Sequence, residues 1–146
     1  MFKGQVFKDG KFWAIKVPDL DLATEGYTKD EAYEMLADLL QTATQKSFKI
    51  DIAKFKNNTF LLQGKDDQSQ KDLIALMFKR QRAKSHLSLT DMARLLKARS
   101  KNSYARYEHG DCVPSYIMMT KILRIMGLSL EMNLHKKSND NDTTIS

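Results

Sequence analysis

The sequence predicts an α+β protein with a strand-rich N-terminal half and a helical C-terminal half that ends in one strand. Runs that alternate with period two dominate before residue 64, whereas apolar spacings of three and four dominate after residue 71. The charge divides at the same place: residues 1–70 hold 10 Lys/Arg and 11 Asp/Glu, whereas residues 71–137 hold 14 and 5. With 42% hydrophobic residues, a core is available. We therefore expect two domains with different kinds of partner.

The N-terminal half begins with three predicted strands. The first covers Phe2 to Lys8, and Asp9-Gly10 is a typical hairpin turn. The second, Phe12 to Val17, is rich in aromatic and β-branched residues and ends at Pro18, which lacks a backbone donor. A short strand at Leu22 to Gly26 completes the predicted meander.

A helix and another hairpin follow. Thr28 and Glu31 form a T-x-x-E capping box at the helix start. The apolar residues that follow at helical spacing are Ala32, Met35, Leu36, Leu39, Leu40 and Ala43. This stripe predicts an amphipathic helix packed on the sheet. Alternation in Phe48 to Ala53 predicts a strand, Asn57-Asn58 turns the chain, and Thr59 to Gln63 returns it.

These patterns set the expected domain boundaries. Residues 1–63 form the N-terminal domain, and the polar, aperiodic residues 64–70 form a linker. Residues 71–135 form the C-terminal domain, whose first helix runs from Lys71 to Lys84. The polar tail at 136–146 is expected to be disordered.

Two short helices joined by a basic turn are predicted next. Ser88 caps the first, which runs to Leu96, with Asp91 near its positive end. Ser100 caps the second, which ends near Glu108. An apolar helix stopped by Gly127 follows. Two short helices in this order outline a helix-turn-helix, which places its second helix in the DNA major groove.

The second helix carries suitable groups for reading bases. Asn can bond adenine bidentately, and Arg or Lys can bond guanine. The candidate DNA-binding residues are Thr90, Lys97, Arg99, Ser100, Lys101, Asn102, Ser103 and Arg106. Cations that could contact phosphates are Lys79, Arg80, Arg82 and Lys84. Tyr107 is predicted to pack inward. The alternative is a basic helical surface that is merely solvated.

Alternation is complete from Leu128 to His135, so this segment is predicted to be a strand. A lone strand leaves its edges unpaired, and the same strand of a second chain would pair with it. We therefore predict a homodimer. Its candidate dimerisation residues are Leu128, Leu130, Met132 and Leu134. The alternatives are packing on the chain's own sheet, or coil.

The segment R-Y-E-H-G from Arg106 to Gly110, followed by V-P-S, resembles the lambda-repressor-like (Cro-type) helix-turn-helix family. The resemblance implies that Glu108 is structural and pairs with a basic residue of the first helix of that domain, here Arg80 or Arg82. The turn before Lys101 looks one residue longer than is usual in the family.

The pattern G-K-F-W-A-I-K-V-P-D-L, then T-E-G-Y-T-K-D-E-A and an amphipathic helix, resembles the HicB antitoxin family. Its members carry a partial ribonuclease-H-like β-β-β-α-β domain, often followed by a helix-turn-helix. The resemblance implies neutralisation of a HicA-type, mRNA-cleaving ribonuclease toxin and repression of the protein's own operon by a DNA-bound dimer. Residues 19–23 depart from the family, since many members have Gly and Cys there.

A toxin that handles RNA should present a basic surface, and an acidic segment of this chain could face it. The candidate toxin-binding residues are Asp19, Asp21, Glu25, Asp30, Glu34 and Asp38. The last three share a helix face at spacings of four. The alternative is an ordinary solvated helix face.

Other classes of function are disfavoured. The single Cys112 cannot form an internal disulfide, and the three histidines match no metal spacing. Phosphate-loop and nucleophile-elbow motifs are absent, so we expect neither an enzyme nor a cofactor. A metal-dependent ribonuclease using Asp19, Asp21 and Glu25, and a stand-alone transcription regulator whose N-terminal domain binds another ligand, are the alternatives. Without a membrane-length apolar run, we expect a cytoplasmic protein.

Overall fold

The computed structural model describes residues 1–134 and residue 136, and within them the fold is α+β, as predicted. These residues form a five-stranded antiparallel sheet and five α-helices. The chain divides into two compact units. Unit 1 comprises Met1–Leu73, and unit 2 begins at Ile74.

The sheet of unit 1 is formed by β1 (Phe2–Asp9), β2 (Phe12–Val17), β3 (Leu22–Gly26), β4 (Ile50–Lys54) and β5 (Thr59–Gly64). The strand order is β3-β2-β1-β5-β4, with every neighbouring pair antiparallel. The predicted meander and the later hairpin are confirmed. The topology is nevertheless β-β-β-α-β-β, because the second strand of that hairpin, β5, pairs with β1 and the sheet gains a strand beyond β-β-β-α-β.

Helix α1 (Lys29–Thr44) begins at the predicted cap. The Glu31 backbone N–H donates to Thr28 Oγ1 at 3.0 Å. The Glu31 carboxylate accepts a bond from the Tyr27 backbone N–H at 3.2 Å, one residue before the amide that a capping box would use. The helix start is therefore fixed by local hydrogen bonds, with the second bond displaced by one residue.

The predicted apolar stripe of α1 is confirmed for its central residues, and the prediction is wrong for one residue at its edge. Ala32, Leu36 and Leu40 are buried, and Tyr33 joins them. Met35 is 39% exposed, so it lies outside the packed face. Apolar spacings of three and four select residues at both margins of a helix face. Which margin is buried depends on the packing against the sheet.

Close packing in unit 1 depends on Gly4 of β1. Gly4 lies opposite Phe60 of β5 in the strand register. A Cβ atom added to Gly4 would lie 2.0 Å from the Phe60 ring. Phe60 is 1% exposed and packs edge-on against Tyr33, with ring centroids 5.3 Å apart. The absent side chain therefore makes the room that the core aromatic occupies.

The predicted linker at 64–70 is wrong, since Gly64 ends β5 and helix α2 (Asp67–Lys84) begins three residues later. Asp66 starts the helix: its carboxylate accepts from the Ser69 N–H at 2.7 Å, and its carbonyl accepts from the Gln70 N–H at 3.0 Å. Gly64 is close enough to Gln70 that a Cβ atom would clash with the backbone there. The polar residues are thus a helix cap and first turn, and the boundary between the units falls inside α2.

Unit 2 contains the end of α2 together with α3 (Leu89–Leu95), α4 (Lys101–His109) and α5 (Tyr116–Ile125). Its buried residues are contributed by all four helices. They include Phe78, Met92, Ala93, Tyr104, Ala105, Ile122, Leu123 and Met126. The predicted stop at Gly127 is confirmed, with φ of 76° and a bond from its N–H to the Arg124 carbonyl at 3.0 Å.

The strand predicted at 128–135 is not formed in the single chain. Residues 128–134 belong to no helix or strand, and Met132 and Leu134 are 67% and 92% exposed. A strand exists only with a hydrogen-bonded neighbour, and within the described residues this segment pairs with none. His135 and residues 137–146 of the tail lie outside the described residues.

Candidate nucleic-acid interface

Helix α3 is fixed at its start by a reciprocal pair of bonds. The Asp91 N–H donates to Ser88 Oγ at 3.0 Å, and the Ser88 N–H donates to Asp91 Oδ2 at 2.8 Å. This confirms the Ser88 cap and extends it to a full capping box. Hydrogen bonds from Ser88 hold the pKa of the Asp91 carboxyl below its usual value.

The turn between α3 and α4 is closed by the backbone. Lys97 adopts a left-handed conformation with φ of 55°, and the Ala98 N–H donates to the Ala93 carbonyl at 2.9 Å. Ser100 occupies the predicted cap position of α4, but its side chain makes no cap bond. The direction of α4 therefore depends on packing more than on its first turn.

Helix α4 has a buried side and an exposed side. Tyr104 and Ala105 are buried. Lys101, Asn102 and Arg106 are exposed, and the exposed set includes every predicted DNA-binding residue. These are Thr90, Lys97, Arg99, Ser100, Lys101, Asn102, Ser103 and Arg106. Asn102, Ser103 and Arg106 thus share one side of a short helix whose other side is held in a core, and Lys101 is exposed at its first position.

A buried ion pair joins the C-terminal end of α2 to α4. Arg82 Nε lies 3.0 and 2.8 Å from the two carboxylate oxygens of Glu108, and Arg82 Nη1 donates to the Leu87 carbonyl at 3.0 Å. The Glu108 side chain is only 5% exposed. Its hydrogen bonds to Arg82 raise the pKa of that guanidinium. Of the two expected partners of Glu108, Arg82 is confirmed, and Glu108 is turned inward from the exposed side of α4.

The aromatic packing of α4 differs from the prediction. Tyr104, and not Tyr107, is the fully buried tyrosine, at 1% exposure. Its ring packs edge-on against Phe78, 6.4 Å away, and against Tyr107, 6.3 Å away. Burial, followed by the nearby Glu108 carboxylate, raises the pKa of the Tyr104 hydroxyl. Because the two tyrosines are about one helical turn apart, the sequence allowed either of them to be the buried one. Contact with Phe78 places Tyr104 in the core.

The six predicted toxin-binding acids are all exposed, but they do not form one surface. Asp30, Glu34 and Asp38 lie on α1. Gly26 of β3 faces α1, because a Cβ atom there would lie 2.6 Å from the Ala32 nitrogen. Since side chains alternate along a strand, Glu25 points to the opposite face of the sheet. Asp19 and Asp21 flank the buried Leu20 at a single 3₁₀ turn.

The sequence prediction missed a group of cations in unit 1. The amino groups of Lys8 and Lys29 lie 5.3 and 4.8 Å from the Trp13 ring centroid. The Lys54 amino group lies 4.1 Å from that of Tyr33. We call these five residues the lysine–aromatic cluster. Lysines interleaved with aromatic residues were its only sequence signal, because the packing partners come from different strands and α1.

No further chemical site is found in the described part of the chain. None of its His, Cys, Asp and Glu residues are grouped by three or more in a way that could hold a metal ion. Cys112 is a partly buried free thiol. Among the same residues, no helix combines the length and apolar character needed to cross a bilayer.

Comparison with known proteins does not assign the chain to a family. No protein-family model and no curated protein matches this sequence.

Proposed function

We propose that this protein is a DNA-binding antitoxin that represses its own operon. The observation that carries the DNA-binding part is the exposed side of α4, where Lys101, Asn102 and Arg106 project from a helix anchored by Tyr104 and Glu108. Base readout needs side chains on a rigid element, because a bidentate bond to a base edge tolerates little displacement.

The supporting cations lie on the approach to α4. Lys97 and Arg99 are exposed in the turn before the helix, and Thr90 and Ser100 are exposed near the starts of α3 and α4. In this proposal they contact phosphates and set the position of α4, whereas Asn102 and Arg106 read bases. Helices α3 and α4 with their turn then form a Cro-type helix-turn-helix.

A homodimer completes the proposed DNA reader. Operator half-sites are read by two copies one helical turn of DNA apart. Leu128, Leu130, Met132 and Leu134 would supply the contact, with the segment becoming a strand when it pairs with its copy. The exposure of Met132 and Leu134 in the single chain, at 67% and 92%, supports this.

The toxin-binding part of the proposal falls on unit 1. Asp30, Glu34 and Asp38 are exposed at successive turns of α1, which suits a basic ribonuclease of the HicA type. The partial ribonuclease-H-like fold is part of this proposal. It is supported by the meander followed by α1, and β5 between β1 and β4 is the departure from it. The protein would act in the cytoplasm, where operator and toxin are both found.

The DNA-binding part is tested by gel shift of the full chain on DNA upstream of its own reading frame, at one stated salt concentration. Asn102→Ala and Arg106→Ala should each weaken specific binding about tenfold or more, as expected for one base contact. Lys65→Ala, at an exposed lysine of unit 1, is the matched control. Equal weakening by the control would refute readout by α4.

The toxin-binding part is tested by co-expression with the small protein encoded beside the gene. Rescue of arrested growth, and its loss with Glu34→Lys/Asp38→Lys, is the expected result. If charge reversal leaves toxin affinity unchanged, the α1 acids are not the contact. If no rescue occurs while operator binding persists, a stand-alone transcription regulator replaces the antitoxin.

A further inference from the structure

We propose that the outer edge of β3 pairs with the same edge of a second copy, so that two unit 1 sheets become one continuous sheet. The pairing is antiparallel and centred on Thr24, which places Ala23 of each copy opposite Glu25 of the other. We call the line between the two β3 strands the seam. This contact uses neither α4 nor residues 128–134, so it stands or falls apart from the function proposed above.

The backbone groups on the outer edge of β3 follow from the hydrogen bonds of the sheet. The Val6 N–H donates to the Asn58 carbonyl beside β5, so the even-numbered residues of β1 bond to β5 and the odd-numbered ones to β2. The same alternation in β2 leaves its odd-numbered residues to bond to β3. Thr24 therefore bonds to β2, whereas Ala23 and Glu25 direct their N–H and C=O groups outward.

This outward ladder ends at both sides within unit 1. The Tyr27 N–H is already bonded in the cap of α1, and the Asp21 N–H is bonded in the 3₁₀ turn. A pairing centred on Thr24 uses the two residues between them, because Ala23 and Glu25 of one copy exchange bonds with Glu25 and Ala23 of the other. Each outward group then has its counterpart in a self-complementary contact.

The sheet face opposite α1 has complementary charges across the seam. Lys16 of β2 lies beside Ala23 in the strand register, and Ala23 would lie beside Glu25 of the second copy. Lys16 and Glu25 are both exposed, and neither makes an ion pair among the described residues. Because only a methyl group separates them, the Lys16 amino group could reach the Glu25 carboxylate of the second copy, twice by symmetry.

On the other face of the sheet, the margin of α1 would cover the seam. Ala32 faces Gly26 of β3, whereas Tyr33 packs against Phe60 of β5, which lies toward the middle of the sheet. Met35 lies on the side of Ala32 away from Tyr33, so it points past the outer edge of β3. Its side chain is 39% exposed in the single chain, and a second copy would cover it.

The other outer strand, β4, is protected against such pairing. Lys54 of β4 points to the α1 face, with its amino group 4.1 Å from the Tyr33 ring centroid, and Asp51 lies on the opposite face. Charges on both faces of an edge strand oppose the addition of another strand. The strand β3 has a single charge, that of Glu25, and neither Pro nor Lys. This difference selects β3 as the edge that pairs.

Disulfide formation tests the register. Thr24→Cys in the full-length Cys112→Ser protein should cross-link two copies on oxidation, since directly opposed residues of a non-hydrogen-bonded pair have Cα atoms about 4.5 Å apart. Ala23→Cys is the matched control. Its own copy lies two positions along the seam, more than about 7 Å away, so it should not cross-link. The Thr24 cross-link should persist in Met132→Asp, which disrupts the separately proposed C-terminal ribbon.

Sedimentation equilibrium in the Met132→Asp background measures the strength of the contact. Glu25→Lys and Lys16→Glu should each weaken self-association about tenfold, because two symmetry-related attractions become repulsions. The double variant Lys16→Glu/Glu25→Lys should restore it. Glu34→Lys makes the same charge change on the exposed side of α1 and should leave self-association unchanged.

Four results would overturn the proposal. Equal cross-linking at Thr24 and Ala23 would indicate random collision, and equal weakening by Glu34→Lys would indicate an effect of net charge. A Met132→Asp protein that stays monomeric at high concentration would show that the β3 edge does not pair with itself. If hydrogen exchange at the Ala23 and Glu25 amides slows only when the small protein encoded beside the gene is added, the edge binds that partner instead.

Discussion

The exposed surfaces of α4 and α1 are supported in opposite ways. In α4 the exposed cations belong to a helix whose buried side is held by the Arg82–Glu108 ion pair and by Tyr104. In α1 the exposed acids stand on an apolar stripe and a polar cap, with no buried charge among its described contacts. Damage to Glu108 should therefore destabilise the surface that it supports, whereas the α1 acids can be changed at little cost to folding.

Breaking the Arg82–Glu108 pair should have the largest effect. Glu108→Gln leaves a largely buried guanidinium without its counter-charge, which we expect to cost about 3 kcal/mol in the free energy of unfolding. Urea denaturation followed by helical circular dichroism measures it. Glu34→Gln is the matched control and should stay within about 0.5 kcal/mol. Similar losses in the two variants would show that the α1 and α4 surfaces are supported alike.

Overpacking β1 should have the next largest effect, in unit 1. Gly4→Ala places a methyl group where the Phe60 ring lies, and the strain should cost about 2 kcal/mol. Trp13 fluorescence during urea denaturation reports on this unit. Gly10→Ala is an informative comparison, because no atom lies within 4 Å of its added Cβ and only its φ of 61° opposes the change. A milder loss for Gly4→Ala than for Gly10→Ala would contradict the packing role.

The N-terminal caps of α3 and α4 can be compared within unit 2. Ser88→Ala removes the hydroxyl that accepts from Asp91 and should cost about 1 kcal/mol. Ser100→Ala occupies the equivalent position of α4, where the side chain makes no cap bond, and should be close to neutral for stability. Thermal unfolding of the two variants tests whether α4 depends on packing where α3 depends on its cap. Equal destabilisation would contradict that difference.

The difference between local contacts and contacts of distant segments explains which features could be predicted from the sequence. Caps at Thr28 and Ser88 and the stop at Gly127 involve residues within a few positions of one another, so local patterns located them. The pairing of β5 with β1 and the choice of Tyr104 over Tyr107 for the core depend on contacts between distant segments. The prediction of a linker at residues 64–70 was wrong for a third reason, since a polar first turn of a helix has the composition of a loop.

For the candidate sites, exposure could be predicted and grouping could not. Every residue proposed for DNA binding is exposed. Helical spacing explains this for Asn102, Ser103 and Arg106 of α4, whereas Thr90, Lys97, Arg99 and Ser100 lie outside that helix. The acids were grouped by closeness in sequence, yet strand alternation sends Glu25 away from α1. The lysine–aromatic cluster was missed for the converse reason, since Lys8 and Lys29 reach Trp13, and Lys54 reaches Tyr33, only after folding.

The smallest expected effect is a pH dependence shared by the two units. Asp66 caps α2 and Asp91 completes the capping box of α3, and hydrogen bonds from Ser69 and Ser88 hold the pKa of each carboxyl below its usual 3.8. The unfolded carboxyls bind protons more readily than the folded ones. The stability they contribute is therefore present above pH 3.8 and lost as the pH falls through the lower folded pKa.

Asp66→Asn and Asp91→Asn should each reduce this acid-dependent loss of stability, measured as the change in the free energy of unfolding between about pH 5 and pH 2. Asp38→Asn, at an exposed acid of α1, is the control and should leave the limb unchanged. Because the two caps lie in different units, Trp13 fluorescence should follow the Asp66 variant, and helical circular dichroism should follow the Asp91 variant. If Asp38→Asn flattened the limb as much as the cap variants, net charge and not the caps would govern acid stability, and the contrast between a capped α3 and a packed α4 would lose its electrostatic support.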